Sequence, residues 1–162
     1  MQKITVLCMG RLKEAYWRDA AAEYIKRLSG YCRITVTELP EERLPEHPSA
    51  AQIAAALERE GNALLSRIPS GAMVISLCIE GASLTSVELS ERIERLAAGG
   101  AGELVFVIGS SYGLSPAVKQ RAGLRLSMSV MTFPHQLARV MLLEQLYRAM
   151  RIAQGGTYHK LA

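Results

Sequence analysis

A glycine-rich segment in the second half of the chain carries the pattern Gly-x-Ser-x-Gly, from Gly109 to Gly113. In hydrolases, this pattern places a nucleophilic serine, here Ser111, on a sharp turn after a strand. Such a serine needs a histidine and an acid to activate it, and Glu144 is the only Asp or Glu that follows it. Glu144 lies four residues before Arg148, which is the spacing of an ion pair on one helix. The sequence therefore argues against a serine hydrolase.

The same segment has a second interpretation as a ligand-binding turn. Glycines allow the backbone to approach a ligand closely and to adopt positive φ. The chain has no GxxxxGK[ST] phosphate loop, and no GxGxxG follows the first strand pattern. An ordinary turn between a strand and a helix fits the segment equally well, so the segment alone leaves both roles open. A non-catalytic, flavodoxin-like binding module that holds a phosphate here is one alternative function.

Residues that could bind a metal ion are few and widely spaced. The three histidines lack the spacing of metal ligands, and Asp19 is the only aspartate in the chain. The three cysteines, Cys8, Cys32 and Cys78, form no CxxC pair. An odd number of separated cysteines is typical of reduced thiols that pack as small core residues. We therefore expect no metal site.

The distribution of charge favours an anionic partner for the C-terminal third of the chain. The formal net charge is +4, and most acidic residues lie between Glu38 and Glu103, with only Glu144 after them. An RNA phosphate backbone is attracted to such a cationic segment. The cations after Glu103 are Lys119, Arg121, Arg125, Arg139, Arg148, Arg151 and Lys160.

Strand and helix patterns alternate along the whole chain. Ser49 with Gln52, and Thr85 with Glu88, have the spacing of capping boxes, and Pro116 follows a capping serine. Each of these three signals predicts a helix start. Apolar and alternating runs predict five strands, at 3–9, 31–39, 72–79, 103–108 and 124–130. Further helices are predicted at 12–28 and 134–154.

This alternation predicts a parallel α/β sheet flanked by helices, in a single domain that spans residues 1–162. Ligands of open α/β sheets bind beyond the carboxyl ends of the strands. That rule selects the loops at 79–84, 109–114 and 131–134.

The sequence also predicts a cytoplasmic protein. No apolar run approaches the length needed to cross a bilayer. The first residues enter a strand pattern directly, without the apolar region and cleavage site of a signal peptide.

Several motifs match a known enzyme family when they are taken together. They are Met-Gly-Arg-Leu-Lys at 9–13, Gly-Leu-Ser at 113–115, Thr-Phe-Pro-His at 132–135, Glu-Gln-Leu-Tyr-Arg-Ala at 144–149 and Tyr-His-Lys at 158–160. With them, the chain closely resembles the ribosomal pseudouridine N3-methyltransferase family, essentially from end to end. One difference is Ser110, where this family often has a second glycine.

The resemblance implies the SPOUT fold, in which the C-terminal segment threads through a loop to form a deep trefoil knot. Such knots are rare exceptions to the rule that chains do not thread loops, so periodicity cannot predict this one. The resemblance also implies that S-adenosyl-L-methionine (SAM) binds at the knot as methyl donor. Residues 128–133 are expected to form a buried strand end as well. The positions that match the family's SAM-binding residues are Leu77, Gly109, Met128, Ser129, Val130, Met131, Thr132 and Phe133.

The implied reaction is methyl transfer to N3 of a pseudouridine in large-subunit ribosomal RNA, on the assembled ribosome. The N3–H must lose its proton, which a nearby base or cation assists. His135 and Arg139 are candidates, and their spacing places them on one face of the last helix. Arg139 is either a contact to phosphate or to the reacting base, or a solvated helix residue. Two further candidates lie in the tail. Tyr158 could stack on a base, and His159 could contact a phosphate or accept the proton.

The resemblance further implies a homodimer in which one subunit completes the other's site. A SPOUT methyltransferase that acts on another RNA, such as tRNA, is the nearest alternative. The last helix is expected to have more apolar surface than one sheet face covers, which favours a dimer. The apolar residues of that helix are Val140, Leu143, Leu146, Tyr147 and Met150.

Overall fold

The computed structural model of the chain describes residues 1–156, and five parallel strands form its centre. The strands are β1 (Lys3–Met9), β2 (Arg33–Leu39), β3 (Met73–Ser83), β4 (Glu103–Ile108) and β5 (Leu124–Ser127). Their order in the sheet is β2-β1-β4-β3-β5, so β1 and β4 pair although they are far apart in the chain. The predicted parallel α/β sheet is confirmed.

Helices cover both faces of this sheet. The apolar side chains of β1 alternate between two clusters, with Ile4 and Val6 on one face and Leu7 and Met9 on the other. Successive side chains of a strand point to opposite faces, so each cluster belongs to one side of the sheet. α1, α3 and α5 pack on the Ile4 side, and α2 and α4 pack on the Leu7 side. The helices are α1 (Ala15–Leu28), α2 (Ala50–Ser66), α3 (Ser86–Ala98), α4 (Pro116–Arg121) and α5 (His135–Ala153).

The helix starts that the sequence predicts are confirmed by their hydrogen bonds. The Ser49 hydroxyl accepts from the backbone N–H of Gln52 at 3.1 Å, and the Gln52 side chain accepts from the backbone N–H of Ser49 at 2.8 Å. Thr85 and Glu88 form the same reciprocal pair at the start of α3. At α4, the Ser115 hydroxyl accepts from the backbone N–H of Val118, and proline stands at the first helical position.

Four boundaries differ from the sequence-based prediction by two residues or more, and one of them is the start of β2, at Arg33 rather than at residue 31. α1 begins at Ala15 rather than near residue 12, because Leu12 belongs to a loop and is buried in the core. β3 runs on to Ser83, beyond the apolar run that predicted it, because its end pairs with β5. β5 ends at Ser127 rather than at residue 130. The last two differences both change the edge of the sheet where ligands were expected.

Two of the three cysteines are core residues, as predicted, and the third is less buried. Cys8 and Cys32 are buried, and burial raises the pKa of each thiol to about 11. Both thiols are therefore protonated and poorly nucleophilic near neutral pH. Cys78 is only half-buried. No helix among residues 1–156 is long and apolar enough to cross a membrane.

The expectation of surplus apolar surface on α5 holds only for Val140, Tyr147 and Met150, which are partly exposed. Leu143 and Leu146 are fully buried, and Val140, Tyr147 and Met150 pack against the same core cluster. α5 lies between α1 and α3, which cover its flanks. All five residues therefore contribute to the core of the subunit, and the homodimer stays a prediction.

Candidate active site

The carboxyl ends of β3, β4 and β5 lie next to one another, because β3 pairs in parallel with both of the other strands. Leu77 lies opposite Leu126 of β5 in the register of the pair. Gly109 directly follows β4, and residues 128–133 directly follow β5. The structure thus brings all of the residues proposed to bind SAM to one edge of the sheet.

β3 has an irregularity at this edge. Both Leu77 and Ala82 take Leu126 as their partner, so residues 78–81 are extra residues on β3 that bulge away from the pairing. Gly81 allows the strand to return, since a Cβ on it would lie 2.7 Å from the carbonyl carbon and oxygen of Arg125. Ile79, within the bulge, is 52% exposed. The bulge places an exposed apolar side chain beside the strand ends.

The loop after β4 closes tightly on itself. A Cβ on Gly109 would lie 2.2 Å from the carbonyl oxygen of Gly113, so Gly109 is required by close backbone contact rather than by positive φ. Gly113 adopts φ +90°, and its N–H donates to the carbonyl of Ser110 at 2.9 Å. The two glycines thus have different roles in one compact turn.

Ser110 and Glu60 form a contact that the sequence did not predict. Glu60 lies on α2 and is 5% exposed. Its carboxylate accepts from the Ser110 hydroxyl at 2.7 Å and from the backbone N–H of Glu42 at 2.9 Å. It therefore joins the loop after β4 to the segment after β2. A cavity of about 230 Å³ lies beside this contact, with Tyr112 in its wall.

The segment that follows β5 is a loop and not the buried strand end that was expected. Val130 is 82% exposed and Met131 is 71% exposed. The loop is ordered by local hydrogen bonds: the Ser129 hydroxyl accepts from the N–H of Met131 at 3.0 Å, and the Ser127 hydroxyl donates to the carbonyl of Ser129. Met128, Ser129 and Phe133 are half-buried, and Thr132 is exposed. Two large apolar side chains thus face solvent beside the strand ends.

His135 is the first residue of α5 and contacts the segment after β2. Its Nε2 lies 3.1 Å from a carboxylate oxygen of Glu41, and 17% of its side chain is exposed. A neutral imidazole that donates from Nε2 keeps Nδ1 as a proton acceptor. His135 therefore has an orienting partner and a remaining nitrogen for chemistry.

Arg139 is buried, with 2% of its surface exposed, so the alternative of a solvated helix residue is wrong. One terminal nitrogen donates to the carboxylate of Glu38, and the other donates to the carbonyl of Gly10 at 2.9 Å. Its Nε is buried and has no hydrogen-bond partner among residues 1–156. Arg139 fixes α5 against the ends of β1 and β2.

Several cations of the C-terminal third have partners within the fold. Lys119 pairs with Glu80, and this hydrogen bond lowers the pKa of the Glu80 carboxyl. Arg121 donates to backbone carbonyls of the turn before β3. With Arg139 buried as well, this part of the chain offers fewer solvent-facing cations than its composition indicates.

The structure supports the argument against a serine hydrolase. Ser111 is exposed on the loop, and Glu144 forms the expected ion pair with Arg148 on α5, at 2.6 Å. His135 takes its carboxylate from Glu41 instead. Among residues 1–156, no group of three or more His, Cys, Asp or Glu side chains could hold a metal ion. Tyr158 and His159 lie outside the described residues.

In α/β enzymes, small ligands bind at the carboxyl edge of a parallel sheet, which is where this chain has a tight glycine turn and an exposed apolar loop. The family described as "Predicted SPOUT methyltransferase" matches residues 2–159. The chain belongs to this family.

Curated relatives match over almost the whole chain. A protein of Pelotomaculum thermopropionicum is 50% identical over 159 residues, which cover 98% of this chain and 99% of the relative. A protein of Bacillus pumilus is 49% identical over 157 residues, with 97% and 99% coverage. Both relatives are named "Ribosomal RNA large subunit methyltransferase H".

Solved structures show the same fold at low sequence identity. A probable methyltransferase of Bordetella pertussis Tohama I aligns with a TM-score of 0.56 and 17% identity, over 92% of this chain and 96% of that one. A probable methylase family protein of Haemophilus influenzae Rd KW20 aligns with a TM-score of 0.53 and 12% identity, over 99% and 71%. These likenesses support the SPOUT methylase architecture of the sheet and helices.

Proposed function

We propose that this chain methylates N3 of a pseudouridine in large-subunit ribosomal RNA, with SAM as methyl donor. The observation that carries the proposal is the identity of about half of all residues, over nearly the full length of both chains, with methyltransferases named for large-subunit ribosomal RNA. The N3 position and the pseudouridine follow from the motif resemblance in the sequence.

The edge of the sheet fits SAM in its chemistry. Gly109 presents backbone without a side chain, and Val130 and Met131 offer exposed apolar surface to an adenine ring. Leu77 on β3 and Gly109 after the neighbouring strand β4 would line the cleft, and residues 128–133 would complete it. When bound, SAM supplies an electrophilic methyl group on its sulfonium.

The residues at the start of α5 prepare the acceptor nitrogen. We propose that His135 takes the N3 proton through Nδ1, while Glu41 holds the ring by its Nε2 at 3.1 Å. Because Arg139 is buried, it acts as a positioning residue that keeps α5 and the loop after β1 in place. Tyr158 and His159 would contact RNA, and these roles stay predictions.

The oligomeric state, the knot, the form of the substrate and the compartment belong to the same proposal. We infer a homodimer in which the C-terminal tail of one subunit completes the site of the other, and a trefoil knot around the cofactor loops. The substrate is the assembled ribosome, since the elements of residues 1–156 all belong to one sheet and its flanking helices, with no separate RNA-binding domain among them. The cytoplasm is the compartment that follows from such a substrate.

The test is methyl transfer from radiolabelled SAM to ribosomes that lack the modification. Separated large subunits, free ribosomal RNA and tRNA are assayed in parallel, and the labelled nucleotide is mapped by mass spectrometry. We expect label on one pseudouridine of the large subunit, and only in the assembled particle. SAM binding with label on tRNA alone would overturn the substrate assignment and leave the methyltransferase class in place.

A further inference from the structure

The loop that connects β1 to α1 presents two cations to solvent. Gly10, at φ +79°, turns the chain out of the sheet, and its N–H donates to the carbonyl of Leu39 at 2.7 Å. Leu12 is 7% exposed and anchors the loop in the core. Its two neighbours, Arg11 and Lys13, are exposed. The anchor therefore fixes the backbone from which both charged side chains project.

A third cation comes from α1. Arg18 donates from one terminal nitrogen to the carbonyls of Leu12 and Lys13, the first at 3.1 Å. These bonds hold its guanidinium against the loop. α1 has no acidic residue in its first turn, and its N-cap residue, Glu14, makes no capping bond with its side chain. Arg11, Lys13 and Arg18 thus carry the positive charge here, since the Glu14 carboxylate at the N-cap offsets the positive end of the helix.

Together these residues line a groove of about 560 Å³, formed by Arg11, Leu12, Lys13, Arg18 and Glu38. Glu38 is the one carboxylate in its wall, and it is already paired with Arg139. The groove therefore has an excess of positive charge. Cations that are held around a concave surface concentrate anions there more effectively than the same charges spread over a surface.

The groove adjoins the proposed active site. Arg139 of α5 donates to the carbonyl of Gly10 at 2.9 Å, so the loop after β1 and the first turns of α5 are in direct contact. β1 also pairs with β4, which leads into the loop at Gly109. Because parallel strands end at one edge, the groove opens on the same side of the sheet as the residues proposed to bind SAM.

We propose that this groove, lined by Arg11, Lys13 and Arg18, binds a backbone phosphate of the RNA strand that carries the target nucleotide. The proposal rests on the proposed function and extends it to the part of the chain that holds the RNA. Arginine and lysine contacts to phosphate position a strand without reading its sequence. The groove supplies affinity for the substrate, while the loops after β3, β4 and β5 and the start of α5 perform the chemistry.

The test compares the double variant Arg11→Ala/Lys13→Ala with the wild type. Both side chains are exposed, and Arg18 is left unchanged because its hydrogen bonds shape the loop. Methyl transfer to ribosomes that lack the modification gives KM and kcat, and filter binding of the same ribosomes over a range of salt gives the slope of log K against log salt. We expect KM to rise by about 10-fold and the slope to fall in magnitude by about 1 to 2. We expect kcat and SAM affinity to stay unchanged.

A matched control removes the same charge from the opposite edge of the sheet. Arg33 begins β2 and Arg67 follows the last residue of α2, and both are exposed. The variant Arg33→Ala/Arg67→Ala should leave KM and the salt slope at their wild-type values. An equal change of KM and salt slope in both double variants would overturn the proposal that the groove binds a phosphate. No change in Arg11→Ala/Lys13→Ala would overturn it as well.

The groove and the proposed function fail in different ways. If the wild type transfers no methyl group to ribosomal RNA, the proposed function fails, and the salt dependence of ribosome binding still tests the groove. If methyl transfer is normal in both variants, the groove fails and the function stands. Wild-type protein that neither binds nor methylates ribosomes would overturn both.

Discussion

His135 and Arg139, one turn apart on α5, are each held by a carboxylate from the same part of the chain. Glu38 is the second-last residue of β2 and contacts Arg139. Glu41 follows three residues later and contacts His135. The two contacts fix the start of α5 over the ends of β1 and β2. An imidazole that is oriented in this way needs no rearrangement before it accepts a proton, which is the role proposed for His135.

The role of His135 leads to a direct test. His135→Ala should lower the rate of methyl transfer by about 100-fold, because a positioned general base contributes that much or more. SAM affinity, measured by calorimetry, should not change. His47→Ala is the control, since His47 is exposed and belongs to the segment between β2 and α2. Wild-type turnover in the His135 variant would assign the base to another residue.

Gly109 is sensitive to substitution for a reason that the sequence did not give. Even Gly109→Ala places a Cβ 2.2 Å from the carbonyl oxygen of Gly113, so the turn itself must open before any ligand is considered. We expect SAM affinity to fall by about 10-fold or more, equivalent to about 1.4 kcal/mol. Gly71→Ala is the control, because a Cβ there has no neighbour within 4 Å. Equal affinity in the two variants would contradict this account of the turn.

Glu60 gives a stability prediction. Glu60→Ala removes the acceptor for the Ser110 hydroxyl and the Glu42 N–H, and unsatisfied groups of this kind cost about 1–3 kcal/mol of folding free energy. Urea unfolding should show that loss. Glu58→Ala, on the exposed side of the same helix, should change the free energy of unfolding by less than about 0.5 kcal/mol. A loss of equal size in both would point to helix propensity instead of the buried contact.

At the scale of single residues, the sequence predicts positions better than contacts. The SAM-binding candidates come together because Leu77 lies on β3 and the others directly follow β4 or β5, and strand ends are visible in a pattern. The partner of Ser110 was not visible, because Glu60 lies fifty residues earlier on a helix that also carries Glu58. Only the packing of α2 against the loop distinguishes Glu60 from Glu58. The burial of Arg139 has the same origin, in contacts that cross the fold.

At the scale of elements, the capping signals were the strongest evidence in the sequence. Thr85→Ala removes a bond to the backbone N–H of Glu88 at the start of α3, and we expect it to cost about 1 kcal/mol. Thr85→Ser keeps the hydroxyl and should restore most of that stability. Thermal unfolding of the two variants checks the prediction, and equal midpoints would show that the cap contributes nothing.

The elements at the ligand edge were predicted less well than those elsewhere. β1 and β4 have the expected bounds, because both are largely apolar strands that helices cover on each face of the sheet. β3 and β5 depart from expectation where they meet, since a bulge on β3 and an early end of β5 come from pairing and not from local pattern. Val130 continues the apolar–polar alternation of residues 124–130, so the pattern predicts it as strand, although it is exposed.

At the scale of the whole molecule, one edge of the sheet carries all of the proposed chemistry. The tight turn after β4, the exposed loop after β5, the cationic groove after β1 and the start of α5 lie at the carboxyl ends of the strands. The trefoil knot and the homodimer remain predictions, because both depend on the family resemblance rather than on any local pattern.

Removal of residues 158–162 tests the division of work between the fold and the tail. The residues proposed to bind SAM all precede α5, so the truncated protein should bind SAM with wild-type affinity. Methyl transfer should be lost, because Tyr158 and His159 are proposed to contact RNA. Removal of Leu161 and Ala162 alone is the control and should leave methyl transfer intact. Normal turnover without Tyr158 and His159 would contradict a role for the tail.

The position of β1 between β2 and β4 has a consequence for the way the chain folds during its synthesis. Lys3 lies opposite Glu103, so one side of β1 has no partner until a further hundred residues have been made. At about 5–20 residues per second, that interval lasts about 5–20 s. Contacts of such sequence separation slow folding. Throughout the interval the nascent chain exposes an apolar strand edge, and we expect it to depend on a chaperone or on its own early helices for protection from aggregation.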